Sequence, residues 1–432
     1  MGYALLAGLA AIVILVSTAL FVGAGGRRPA PDAAAPRDGN SAAPASSGTW
    51  VGTWSASPAA AEANAPDGLP DASLRNVVHT SVGGSAARVQ FSNLFGTRPL
   101  TITHATLALA AEPSSPAAAP GSMRRLTFGN RTEVTVPVGG SVTSDAVRLN
   151  VPAAADLLVT LYSPAGAGAV THHPAARQTS YLARGDRAAD TAGTAYTEQT
   201  TYWRYVTAVD VWTNEAEGAV VVLGDSITDG ITSSLGANHR WTDVLADRLR
   251  TERGAPRYSV LNQGISGNRV LVDAAPTDPN NGPSGLNRLE RDVLSRTGAK
   301  VLVVELGIND ILKRPHQTDP GKIVAGLQEL TRRAHQRGLR VVGATLMPFG
   351  GHRKHTPQLE AVRQQVNERI RRGDVFDAVV DFDAALRDPA RPERLRAAYD
   401  SGDHLHPSDS GFRAMAQALD LDLLKGASPA VL

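Results

Sequence analysis

The 432 residues carry Lys+Arg 43 against Asp+Glu 41, a formal charge of +2, and no cysteine. That length exceeds one ordinary hydrophobic core, so two domains are expected. The missing cysteines exclude disulfides and thiolate metal sites, and without a basic cluster interleaved with aromatics no nucleic-acid partner is expected.

In chain order, residues 3–26 carry no charge and residues 4–22 are almost wholly apolar. At about 1.5 Å per helical residue such a run can just cross a bilayer. Two readings of residues 1–24 compete: a signal peptide cut near Val22-Gly23-Ala24, or an uncleaved membrane anchor. Arg27-Arg28 follow the apolar run, the wrong side for an exported C-terminus under the positive-inside rule. A buried soluble helix fits so uniform a run poorly. Export to the cell surface or medium is therefore preferred, with membrane attachment through this segment left open. Residues 25–48 are rich in Pro, Ala, Ser and Gly and bury too little to fold, so they read as a disordered spacer.

Over residues 49–215 the period is two. Arg88-Val89-Gln90-Phe91-Ser92 alternates, as do residues 132–136 and 146–151, and residues 156–162 form a more buried run. Gly, Pro and Asn clusters separate these segments. Short strands with regular turn punctuation predict a β-sandwich, jelly-roll-like. Trp203, Tyr205 and Trp212 suggest either a carbohydrate platform or filling of the core and seam, and large aromatics favour the second. His172-His173 lack further ligands at metal spacing, and an exposed loop before Pro174 is expected.

Over residues 216–432 the pattern switches. Strands are expected at 219–223, 258–261, 300–305, 339–346 and 378–382. Helical spacing lies between them: Trp241, Val244, Leu245, Leu249; then Leu286, Leu289, Val293, Leu294; then Ile323, Leu327, Leu330, Ala334, after an Asp319-Pro320 cap. A last helix starts near Ser408 and carries Phe412, Met415, Leu419 and Leu423. Such alternation predicts an α/β fold, a parallel sheet with helices on both faces and its loops gathered on one edge.

Those loops carry the polar residues. Ser226 follows the first strand, Asn262-Gln263-Gly264-Ile265-Ser266-Gly267-Asn268 the second, and Gly307-Ile308-Asn309-Asp310 the third; Asp403-His404-Leu405-His406-Pro407 precedes the last helix. Each has a bland reading as a turn or a helix cap. Four at one sheet edge are hard to attribute to chance. Serine needs a base to take its proton and donors for the oxyanion it creates. The assignment is Ser226 as nucleophile, His406 as base and Asp403 as the carboxylate that orients it. The Ser226 N–H, the Gly264 N–H and the Asn309 amide are the oxyanion donors, Gly264 because no side chain obstructs approach. His404 is the competing base, but sits one residue from Asp403, too close for an easy pair. The other histidines have no comparable Asp neighbour in a loop motif. A histidine base must be neutral to act, so activity is expected to fall below the ordinary imidazole value of about 6.5.

From about residue 218 to 424 the chain resembles the SGNH, or GDSL, hydrolase superfamily. Its blocks, named for Ser, Gly, Asn and His, match Ser226, Gly264, Asn309 and His406, and Gly224-Asp225-Ser226-Ile227 departs from the family's name only in Ile for Leu. Gly307-x-Asn309-Asp310 and Asp403-x-x-His406 match as well. The resemblance implies a flavodoxin-like three-layer α/β/α domain and a serine esterase mechanism without metal or cofactor, and it supports the Asp403 and oxyanion assignments. Trp50-Val51-Gly52-Thr53-Trp54 is similar to the opening of the β-rich module in secreted two-domain bacterial members. Some relatives act on acetylated plant polysaccharides and others on lipid or aryl esters.

No G-x-S-x-G elbow, P-loop, H-E-x-x-H or dinucleotide fingerprint occurs, and Asp225 and Asp229 are weak evidence for Mg²⁺. The expectation is an exported ester hydrolase, with O-deacetylation of carbohydrate favoured. The alternatives are a lipase or broad esterase, and a non-catalytic cell-surface carbohydrate-binding protein.

Overall fold

The computed structural model describes residues 48–426; the expected signal or anchor, and the spacer up to residue 47, lie outside the described residues. The strands of residues 49–213 pair antiparallel throughout the described residues; Gly84–Ser92 alternates between buried and half-exposed positions, whereas Ala72–His79 and Asp156–Ser163 are buried on both faces. One sheet runs in the order Thr49–Ser55, Val206–Thr213, Gly84–Ser92, Val147–Val151. A second has Ser180–Arg184, Ala72–His79, Asp156–Ser163 and His104–Leu109 as its middle strands. Val89, Phe91, Val209 and Val211 of the first share an apolar cluster with Leu74, Val78, Leu107 and Val159 of the second.

Two of the three aromatics serve packing, while Trp212 stays half-buried, edge-on to Trp50 at 5.7 Å. Trp203 and Tyr205 are buried, and Trp203 sits edge-on to Trp54 at 4.9 Å while donating its indole N–H to the Val77 carbonyl. The expectation for His172-His173 fails. They form the end of the buried strand Thr171–His173, paired on both sides, not an exposed loop.

From Gly218 onward the sheet is parallel, in the order Tyr258–Gly264, Gly218–Gly224, Ala299–Glu305, Arg340–Ala344, Ala378–Val380. The order reverses direction about the Gly218–Gly224 strand, which is where open α/β sheets leave a crevice at their carboxyl edge. Gly218–Gly224 is buried at every position because both its faces are covered. Val220 and Val222 join Val301 and Val303 against Trp241, Phe412 and Met415. Val221 and Leu223 join Leu302 and Val304 in the other cluster, with Ile323, Leu327 and Val366. That second cluster continues into the β-rich residues, so the described residues pack as one compact unit.

The helix Trp241–Thr251 forms as its spacing predicts, and Pro320–His335 starts on Asp319, whose carboxylate accepts from the Gly321 N–H at 2.8 Å. The last helix ends at Ala418, leaving Leu423 in a short 3₁₀ turn. The stretch at 286–294 divides into an α-helix, Gly285–Leu289, and a π turn, Glu290–Leu294. The strand expected over 339–346 stops at Ala344, because Asn367 Oδ1 takes the Leu346 N–H at 2.7 Å. Asn367 lies on a helix outside the predicted set, Pro357–Arg371, capped by Thr356 and buried along Val362, Val366 and Ile370.

Candidate active site

Three strand ends set the frame. Gly224 stands in register with Gly264 on one side and Glu305 on the other, so the loops that follow leave the sheet at one level. The fully buried Arg288 ties these ends together: its guanidinium donates to the Gly224 carbonyl at 2.8 Å, the Gln263 carbonyl at 2.7 Å and Asn268 Oδ1 at 3.0 Å. Burial pulls this guanidinium down to about 10, and the Asp292 carboxylate opposes that fall, so it stays charged near neutrality.

After Gly224 the chain turns directly into the short helix Ser226–Asp229. Asp225 caps it by accepting the Ile227 N–H at 3.1 Å, and its other oxygen accepts from Asn309 Nδ2 at 3.1 Å. Asn309, on the helix Ile308–Leu312 after the third strand, is thereby pinned beside Ser226. An amide nitrogen has two hydrogens, so one remains for another acceptor. Burial pushes the Asp225 carboxyl up, and Glu305, which accepts the Thr228 hydroxyl at 2.9 Å, is pushed up by burial and by Asp225.

The fourth loop closes the site. His406 Nε2 lies 2.8 Å from Ser226 Oγ, and its Nδ1 lies 2.5 Å from Asp403 Oδ2. Asp403 Oδ1 accepts the backbone N–H groups of Leu405 and His406 at 2.9 and 2.8 Å. The spacing of three residues works because one carboxylate caps its own turn and also reaches the ring. Burial would raise the Asp403 carboxyl, but the His406 ring and these N–H donors override it and hold it well below the usual carboxylate range. His404 points elsewhere, its Nδ1 2.5 Å from Asp400. A hydroxyl bonded to an imidazole whose far nitrogen faces a carboxylate can pass its proton to the ring as it attacks an electrophile.

The structure therefore brings Ser226, Asp403, His406 and Asn309 together, but gives the Gly264 N–H another acceptor. The Gly264 N–H donates to Asn262 Oδ1 at 2.8 Å and is not free for an oxyanion. Glycine is needed there for a different reason, since a Cβ would run into the backbone of Asp229. Further along the loop, the N–H groups of Ile265, Ser266 and Asn268 are bonded to Gly224 O, Asp229 Oδ2 and Ile265 O. Gly267, at φ +78, is left with no acceptor for its N–H among the described residues, and so is Ser226. The sequence signal for Gly267 was present in the Ser-Gly-Asn turn.

Asp229 is a structural junction rather than a metal ligand. Its carboxylate bonds His173 Nε2 at 2.9 Å and the Ser266 N–H and hydroxyl at 2.9 and 2.6 Å. Local reading of the histidines overlooked distant partners: His79, His104, His173, His239 and His335 each contact an aspartate far away in sequence. Among the described residues no group of three His, Cys, Asp or Glu could hold a metal ion.

Residues 222–414 match the GDSL-like Lipase/Acylhydrolase family, a family of ester-bond hydrolases, and that stretch is a GDSL-like lipase/acylhydrolase domain. The resemblance read from the four blocks is thereby borne out. No curated protein matches the chain. Among solved structures, the acetyl xylan esterase AlAXEase is 22% identical, covering 46% of this chain and 96% of its own, at a TM-score of 0.36. An aryl esterase of M. smegmatis in its inhibitor-bound form is 19% identical, with 46% and 95% covered and a TM-score of 0.36. Est24, a carbohydrate acetylesterase from Sinorhizobium meliloti, is 17% identical, with 46% and 95% covered and a TM-score of 0.35.

Proposed function

We propose that the chain hydrolyses carboxylic esters through Ser226, His406 and Asp403. The observation that carries this reading is the unbroken line from hydroxyl to imidazole to carboxylate, at 2.8 and 2.5 Å. Ser226 Oγ attacks the acyl carbon as its proton passes to His406 Nε2. Asp403 holds the opposite nitrogen and stabilises the imidazolium. The carbonyl oxygen gains charge and is met by the Ser226 N–H, the free Asn309 amide hydrogen and the Gly267 N–H, which replaces Gly264 in this role. The C–O bond breaks, and His406 gives its proton to the departing alcohol. Water, deprotonated by the same imidazole, then releases the acid.

The test is p-nitrophenyl acetate turnover by the wild type and Ser226→Ala. The expected loss is at least about 10⁴-fold in kcat; equal rates would remove the reading. O-deacetylation of carbohydrate is the favoured substrate class, supported by the Trp50-Val51-Gly52-Thr53-Trp54 opening. Acetylated xylan against a p-nitrophenyl ester series of rising acyl length separates it from a lipase or broad esterase. We read residues 49–215 as a β-sandwich domain on the shared cluster of its two sheets, and residues 1–24 as an export segment, checked by locating the protein in medium, membrane and cytosol.

A further inference from the structure

The acyl chemistry just proposed uses no side chain from residues 49–213. Yet one of them ends in the polar network behind Ser226. His173 closes the strand Thr171–His173 and is 4% exposed. Its Nδ1 lies 2.8 Å from the Ser57 carbonyl and its Nε2 lies 2.9 Å from Asp229 Oδ1. Asp229 is the last residue of the helix that Ser226 begins. The other oxygen of Asp229 holds Ser266 through both its N–H and its hydroxyl. Ser266 is followed by Gly267.

The protons are constrained by these partners. A carbonyl and a carboxylate can only accept, so the ring must offer a hydrogen on each nitrogen, which makes it an imidazolium. Arg240 donates to the Asp229 carbonyl at 3.1 Å and lies 5.6 Å over the Trp203 ring, and Arg177 and Arg288 feel the Asp229 charge. On the other side of His173 stand Trp203, 5.4 Å away, and the neighbouring ring of His172. Burial would lower His173, but Asp229 and the Ser57 carbonyl outweigh burial and the opposing Arg240, leaving it above the ordinary imidazole value.

We propose that His173 is a positioning residue of the active site: through Asp229 it sets the Ser266–Gly267 turn, so that the Gly267 N–H faces the reacting ester. The β-rich region thus completes the oxyanion side of a site whose nucleophile and base lie elsewhere. This rests on the ester-hydrolase reading above. A neutral ring can keep its hydrogen toward Ser57 or toward Asp229, but not both. Deprotonation of His173 therefore loosens the turn, and kcat falls on an alkaline limb above the ordinary imidazole value.

The experiment uses the full chain and p-nitrophenyl acetate across pH, with thermal melts alongside. His173→Gln keeps one donor and cannot titrate. Its kcat is expected to fall about 10- to 100-fold, the scale on which a misplaced group away from the chemistry slows a reaction, with KM within about twofold and the alkaline limb gone. Ser266→Ala removes only the hydroxyl link and should lower kcat by about fivefold while keeping the limb. His104→Gln, which breaks the half-exposed pair with Asp186, is the control and should match wild type. A folded His173→Gln protein with wild-type kcat and an intact limb overturns the proposal. If that variant does not fold, an unchanged kcat in Ser266→Ala overturns it instead. NMR of the His173 ring in Ser226→Ala gives a readout independent of turnover, and a neutral ring at pH 7 also overturns the proposal. Equal activity of Ser226→Ala and wild type would instead be the failure of the esterase reading.

Discussion

The short helix Ser226–Asp229 has an imidazole–carboxylate pair at each end, and the two pairs behave differently. At its start His406, held by Asp403, faces a hydroxyl. At its end His173 faces a carboxylate on one nitrogen and a carbonyl on the other. A hydroxyl can give up a proton, so the first ring can act as a base. Two obligate acceptors cannot, so the second ring serves as a charged tie between them until alkaline pH removes its proton. Burial follows the same division. The Asp403 side chain is 43% exposed, whereas His173 and Asp229 are sealed at 4% each. What an imidazole–carboxylate pair does is decided by the group on the ring's far side.

Four measurements break or sharpen that contrast. Asp403→Asn should lower kcat by about 10³–10⁴-fold, because the ring loses the partner that fixes its tautomer. Its melting temperature should hardly move, since a half-exposed pair contributes about 0–1 kcal/mol. A large loss of stability with activity retained would reverse the contrast. On the sealed side the order inverts. Arg288→Ala leaves Arg291 on Asp292 but strips the buried Gly224 and Gln263 carbonyls and Asn268 Oδ1 of their donor, and should cost about 1–3 kcal/mol for each acceptor left unsatisfied, read by urea melts.

Asn309→Ala should lower kcat by about 10²–10³-fold, equivalent to about 2.7–4 kcal/mol, with KM little changed. A KM effect alone would make Asn309 a binding group instead. The smallest effect is expected at Asp310, which accepts the Val270 and Leu271 N–H groups at 2.7 and 3.0 Å. Burial pushes its carboxyl from the ordinary 3.8 up to about 6. The folded state therefore holds this proton more tightly than the unfolded chain. The stabilisation is full below pH 3.8 and is lost as pH rises toward about 6. Asp310→Asn should flatten the pH slope of the melting temperature across that window, and an unchanged slope would show that Asp310 does not titrate there.

Legibility in the sequence followed distance along the chain. Asp403 and His406 are three residues apart, and their contact is a turn that a local motif can encode. The strand before Ser226 announced itself through an unbroken β-branched run, as burial on both faces requires. Gly264 qualifies on the sequence by lacking a side chain, but hydrogen bonding decides whether an N–H is free, and Asn262 takes that one. His172-His173 read as a loop because Pro174 follows, and nothing local announced strands on both sides.

The amino-acid order by itself determined the parallel sheet, the edge that gathers the polar loops, and the identity of the GDSL-like domain, because strand period, turn residues and short motifs are local. Only the tertiary structure decided which glycine N–H stays free, and that a histidine of the β-rich region reaches Asp229. Those outcomes depend on which donor meets which acceptor between segments as far apart as 56 residues, and such pairings arise only when separate strands are packed against one another.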